Sequence, residues 1–249
     1  MIFALILVAV AVGAIAQRVT GMGFALTASP FLVLLLGPFD GVLIANLCGA
    51  VSAALILTRV WRQVDWRRYG LLVVPALLGI LPAAWLTTVL PGAALEIGIA
   101  VLLIVALTAS LLVARARITV SGAPPALVAG FTSGFMNAAA GVGGPAISAY
   151  AVLTRWPQER FAATMQPFLV TVATSSLVSK LLFSHGQLPA LDAWKWVTII
   201  GALLGGLAIG ELVGRRISSA GARRAVIVLA YLGGAVALIH GIVDAMNGV

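Results

Sequence analysis

The sequence predicts an all-α polytopic membrane protein made of two inverted repeats, each a broken or re-entrant helical hairpin plus three transmembrane helices. Three observations predict it. The chain of 249 residues is 62% hydrophobic and only 9% charged, too little polar surface to coat a soluble globule of that size. Apolar runs of about 20 residues recur, each long enough to cross a hydrocarbon core of about 30 Å as a helix. The order broken segment, span, span, span occurs twice, and the patterning lacks the alternation of barrel strands.

The first broken segment runs from Ile2 to Leu36 and is interrupted by Gln17-Arg18-Val19-Thr20-Gly21-Met22-Gly23. Spans are expected at 39–60, 70–90 and 93–114. The second, Pro125 to Thr154, is interrupted by Asn137-Ala138-Ala139-Ala140-Gly141-Val142-Gly143-Gly144-Pro145, and spans follow at 161–183, 194–214 and 224–246. The repeats are 1–120 and 121–249. At an offset of 120, Gly21 and Gly23 fall on Gly141 and Gly143, Gln17 on Asn137 and Asn46 on Gln166. Further on, Ala76-Leu77-Leu78-Gly79 falls on Ala202-Leu203-Leu204-Gly205, a weaker match because such residues recur in membrane helices.

Basic residues then orient the chain, with 15 Lys and Arg against 7 Asp and Glu and a net charge of +8. Arg59, Arg62, Arg67 and Arg68 mark one cytoplasmic loop, Arg115 and Arg117 a second, and Arg215, Arg216, Arg223 and Arg224 a third. The segment 125–154 begins after one such loop and ends at Arg155 and Arg160, so it re-enters from the cytoplasm, and Ile2 to Leu36 re-enters from outside. An odd number of crossings per half then inverts the second half. The competing topology makes each broken segment one full crossing, giving eight spans. The basic residues sit in short connections rather than on one face, which indicates membrane orientation and no nucleic-acid partner; the expected location is the plasma (inner) membrane. Trp61, Trp66, Trp156, Trp194 and Trp196 flank spans as interfacial anchors do. Cys48 reads as a packed core residue, and a single cysteine allows no intramolecular disulfide. Ala14-Ile15-Ala16 resembles a cleavage site, but no Lys or Arg precedes it, so the segment is retained as part of the membrane domain.

Irregular backbone at membrane depth leaves peptide groups unpaired, and it persists where it lines a protein cavity. The two breaks are therefore the candidate site. Gly21, Gly23, Gly141, Gly143 and Gly144 let backbone N–H groups converge on an anion, and helices restarting near Phe24 and Pro145 aim their positive ends at it. Pro145 suits a first helical turn. Gln17, Thr20, Ser133 and Asn137 surround the breaks, with Asn46 and Gln166 on the following spans, and all can hydrogen-bond an oxyanion without fixed charge. The bland alternative is that each knits helices together in lipid. Arg18 stands midway along an apolar segment, where a cation is functional by default and can grip two oxygens; the alternative is an arginine that snorkels to a surface.

Elsewhere Glu211, four residues before Arg215, reads as half of a helix-end ion pair. Glu96, Lys180, His185, Asp192 and Asp244 fall near predicted interfaces, and His240 reads as a structural histidine with proton coupling as the alternative. Small-xxx-small pairs at Gly130/Gly134, Gly201/Gly205 and Gly206/Gly210 suit packing within a subunit and a homodimer equally. No zinc-protease, phosphate-loop or nucleophile-elbow motif is present, so neither an enzyme nor a cofactor is expected.

Gly134 followed by Gly141-Val142-Gly143-Gly144-Pro145, with the duplicated halves and short basic connections, resembles the sulfite exporter TauE/SafE family across nearly the whole chain. The first-half counterpart, Gly13 followed by Thr20-Gly21-Met22-Gly23-Phe24, departs from it at Phe24, where a small residue is expected. The resemblance implies transport of sulfite or organosulfonates such as sulfoacetate. The expectation is an alternating-access exporter of a small anion, with lipid and substrate as partners and with coupling to protons or sodium left open. An anion channel and a nontransporting scaffold are the alternatives.

Overall fold

In the computed structural model, residues 2–115, 118–186, 188–189, 191–214, 216 and 219–247 are described. Arg117 and Arg215, used above to orient the chain, lie outside the described residues. The described residues form ten α-helices: α1 (Ile2–Thr20), α2 (Gly23–Leu36), α3 (Pro38–Val60), α4 (Trp66–Val89), α5 (Gly92–Arg115), α6 (Pro124–Ala140), α7 (Gly144–Leu153), α8 (Gln158–Phe183), α9 (Ala193–Gly214) and α10 (Ser219–Asn247). Seven stretches, covering α1, α3, α4, α5, α8, α9 and α10, are long and apolar enough to cross a membrane. The six expected spans all appear, within a few residues of their expected ends.

Local chemistry sets several helix boundaries. Gly37 turns the chain at φ 84°, and Pro38 opens α3 where its missing N–H is not needed. Asp65 caps α4 by accepting from the Arg68 N–H at 3.1 Å. Before α9, Lys195 hydrogen-bonds Asp192 and holds that exposed carboxyl below its ordinary value.

Both broken segments fold back on themselves. A Cβ added to Gly13 would stand 2.9 Å from the Ala28 Cβ, and one on Gly23 would stand 2.8 Å from Ala16, so α2 runs antiparallel against α1. Phe3 and Leu7 join Leu35 and Leu36 in one apolar cluster, which places the two ends of this hairpin together. In the second segment the Val120 N–H donates to the Leu153 carbonyl at 3.0 Å, closing the base of the α6–α7 hairpin. Each broken segment is therefore a hairpin rather than one continuous rod, and among the hairpin legs α1 alone is long and apolar enough to cross a membrane. The legs are unequal: α1, with 19 residues, is about 28 Å long, whereas α7, with 10, is about 15 Å.

Each hairpin lies along the second long helix of the other half. α1 runs beside α9 in the same direction, with Phe3 edge-on to Trp194 (5.1 Å between centroids), Gly206 against Ala11 and Ala14, and Gly210 against Ile15 and Arg18. α6 runs beside α4 likewise, with Gly130 against Leu72 and Gly134 against Ala76. Dispersion between closely approached backbones drives such seams in lipid. Two of the small-residue pairs therefore pack within the chain. A Cβ on Gly201 or Gly205 would meet nothing within 4 Å among the described residues. The sequence match of Gly79 to Gly205 also fails as a packing equivalence: Gly79 sits on the Phe131 carbonyl while the seam glycines of α9 are Gly206 and Gly210. Apolar identity carries little register information.

Trp156 corrects another expectation. Trp61, Trp66 and Trp194 are exposed as interfacial anchors should be, but Trp156 is 6% exposed, stacked edge-on between Tyr150 and Phe161 with the Arg68 guanidinium 4.6 Å from its ring centroid. It fills the turn between α7 and α8 and locks it to α4. Cys48 is buried and unbridged, as a core residue.

Candidate functional site

The two breaks share one backbone solution. Gly21 (φ 85°) donates its N–H to the Gln17 carbonyl at 2.8 Å, and Gly141 (φ 71°) donates to the Asn137 carbonyl at 2.8 Å. Each is a left-handed residue closing a helix, a conformation L side chains resist. The next helices start at Gly23 and Gly144, each one residue before the position expected, with Pro145 in the first turn. The breaks also meet. Ser29 on α2 donates to the Ala140 carbonyl at 2.6 Å, and Ser148 on α7 donates to the Met22 sulfur at 3.1 Å.

A cavity of about 970 Å³ leads to this junction. Its mouth carries exposed Gln63, Arg155, Gln158, Glu159, Arg223 and Arg224, and its inner wall carries Gln17, Arg18, Thr20, Gly21, Met22, Pro145, Ser148 and Gln166. The arginines of separate loops are thus gathered at one end of the molecule. Beyond Gln17 and Met22 lies a second void of only about 20 Å³, lined by Asn46, Asn137, Gly141, Gly143 and Gly144 among others. That is room for about one water molecule.

Hydrogen bonds sort the predicted side chains. Gln17 accepts from the Phe24 N–H at 3.1 Å, satisfying the start of α2, and leaves its buried Nε2 without a partner among the described residues. Asn137 donates to Asn46 Oδ1 at 2.8 Å and to Ser176 Oγ at 3.0 Å, and Asn46 Nδ2 is left without a partner among the described residues. Two unused amide donors, on Gln17 and Asn46, therefore border the small void. The other candidates position backbone. Gln166 donates to the Gly21 and Ala162 carbonyls at 2.9 and 2.8 Å, Ser133 to the Gly143 carbonyl at 2.8 Å, and Thr20 to the Ala16 carbonyl at 2.8 Å. Gly23 and Gly143 serve close approach, since a Cβ would stand 2.8 Å from the Ala16 backbone and 2.7 Å from the Ser133 carbonyl oxygen respectively.

Arg18 lies in the last turn of α1 and lines the large cavity, but its guanidinium is held by Glu211 of α9, which also accepts from Arg59 at 2.9 Å. Glu211 is thus a bridge between three helices. Its expected partner Arg215 lies outside the described residues.

Three features escaped the reading of sequence alone. Lys180 and Ser176 are fully buried on α8. Glu96, 4% exposed, pairs with His240 Nδ1 at 3.2 Å, and His240 also lies 3.3 Å from Asp244, so the last-span histidine ties α10 to α5. Span-end position hid Lys180 and Glu96, because hydropathy does not report which neighbours cover a helix end.

No curated protein and no solved structure matches the chain. The family model described as Sulfite exporter TauE/SafE matches residues 5–237, reaching from α1 into α10 and through both glycine breaks. With its seven span-length helices and crossed hairpins, the chain belongs to the sulfite exporter TauE/SafE family of multi-pass membrane transporters.

Proposed function

We propose that this protein is a secondary carrier exporting a small anion, sulfite or an organosulfonate such as sulfoacetate, across the plasma membrane by alternating access. The observation that carries the reading is the cavity of about 970 Å³ that ends on the hairpin junction. Its wall carries Arg18 (paired to Glu211), Arg155, Arg223 and Arg224 beside a single lining carboxylate, Glu159, among the described residues. Such a basic, partly enclosed vestibule concentrates anions. By the rule that arginine-rich loops stay inside, it faces the cytoplasm. An anion would pass from the arginines to the amide donors of Gln17 and Asn46 and the positive start of α7.

The carrier reading is favoured over a channel because the path narrows to a one-water void at the junction, and over a scaffold because buried amide donors with no partner among the described residues border that void. The exchanged partnership of hairpins, α1 with α9 and α6 with α4, supports two inverted halves that rock about the junction. Flux of sulfite and sulfoacetate into proteoliposomes tests the proposal. Saturable flux with counterflow is expected in the wild type, weakened in Arg18→Ala and lost in Gly143→Leu. Unchanged flux in both variants would remove the site.

A further inference from the structure

Lys180 lies apart from both cavities and from the hydrogen bonds described above. It sits in the last turn of α8, where a lysine ordinarily extends to the membrane surface, yet it is 0% exposed. Its Nζ has no hydrogen-bond or ion-pair partner among the described residues. The ammonium stands 5.4 Å from the ring centroid of Phe39 in the first turn of α3. A cation covered in this way is costly in a membrane-spanning bundle and marks an ion pathway by default.

Its position continues the polar line from the breaks. Ser176 precedes Lys180 by one turn on the same face of α8, about 6 Å along the helix axis. The Ser176 hydroxyl accepts from Asn137 at 3.0 Å, and Asn137 donates in turn to Asn46. The line therefore runs from the donors at the small void towards the end of the molecule opposite the arginine-bearing cavity. A counterpart in the other half sharpens the point. Arg59 is the cation in the last turn of α3, the first long helix of its half as α8 is of the second, and its side chain is 67% exposed at the open end. Equivalent cations are thus uncovered at one end and covered at the other.

We propose that Lys180 is the anion-binding residue of the exit end, uncovered when the carrier closes around the large cavity and opens beyond Asn46 and Asn137. The anion leaves the amide donors, meets the ammonium, and is released from it to the outside. This rests on the carrier reading above. In the covered state the ammonium stands without its ligand, which accounts for its missing partner.

The test is sulfite flux and stability in purified Lys180→Met and Lys180→Arg proteins. Methionine keeps the length of the side chain and removes the charge, so Lys180→Met should fold at least as stably as the wild type, since it relieves a buried unpaired cation. Its sulfite flux should nevertheless fall by about tenfold or more, the effect of losing one charge-assisted hydrogen bond. Lys180→Arg should keep most of the flux. Sulfite-induced thermal stabilisation, read from the cavity side, should be unchanged in both. Wild-type flux in Lys180→Met, or equal loss in Met and Arg variants, overturns the role of Lys180 while leaving the carrier standing. A wild type that carries neither sulfite nor sulfoacetate overturns the carrier reading itself.

Discussion

The two hairpin tips have the same backbone and different surroundings. At the first, Gly21 lines the large cavity, and a Cβ there would find the Ala162 methyl at 3.3 Å. At the second, Gly141 is enclosed, and a Cβ would stand 2.9 Å from Ser29 Oγ. The lesson is that one fold element used twice in opposite directions need not be open twice. Here Gly21 stands at the base of the large cavity, whereas Gly141 is enclosed beside Ser29.

The largest effect is expected from Gly143→Leu. Its first side-chain carbon already crowds Ser133, so the α6–α7 tip cannot keep its shape; flux should vanish and stability fall by about 3 kcal/mol or more, read by thermal unfolding in detergent. Wild-type stability would mean that the second tip is not sealed. Next comes the pair Gly141→Ala and Gly21→Ala. Both force an L residue into a left-handed conformation at about 1–2 kcal/mol, and the clash with Ser29 should make the first of them the costlier. Equal midpoints in denaturant would deny the difference in enclosure.

Smaller effects separate the amides. Asn137→Leu strands Asn46 and Ser176 together and should destabilise by about 2 kcal/mol, whereas Gln17→Leu strands only the Phe24 N–H and should cost about 1 kcal/mol. Both should weaken sulfite-induced thermal stabilisation. The smallest change in stability is expected for Glu211→Gln. Its pair with Arg18 is about a third exposed, so folding should change by less than about 1 kcal/mol. Sulfite should then bind a few-fold tighter as Arg18 is released to the cavity, and titration calorimetry would read that gain.

Much of the site was legible because its cause is local. Only glycine adopts the Gly21 and Gly141 conformations without strain, and Pro145 announces a helix start, so the breaks appear in the sequence at the positions where they occur. The role of each side chain was less legible. Gln166 looked like an oxyanion donor, yet both its amide hydrogens go to carbonyls, one of them on Gly21, 145 residues away. Arg18 looked like a lone buried cation, and its carboxylate partner lies 193 residues further along the chain. Trp156 looked interfacial because span ends usually are, and a turn packed against α4 buried it.

What the sequence determined by itself was the membrane class, the six plain spans, the two breaks and the end at which arginines gather. Hydropathy, glycine conformation and charge act residue by residue along the chain, so each of these is written locally. Tertiary packing settles that the hairpins cross to the opposite halves, that Gly21 lines the large cavity while Gly141 is enclosed, and that Lys180 is covered without a partner among the described residues. Those depend on which surfaces meet across a hundred or more residues, and in lipid, where nearly every surface is apolar, composition alone does not choose among them.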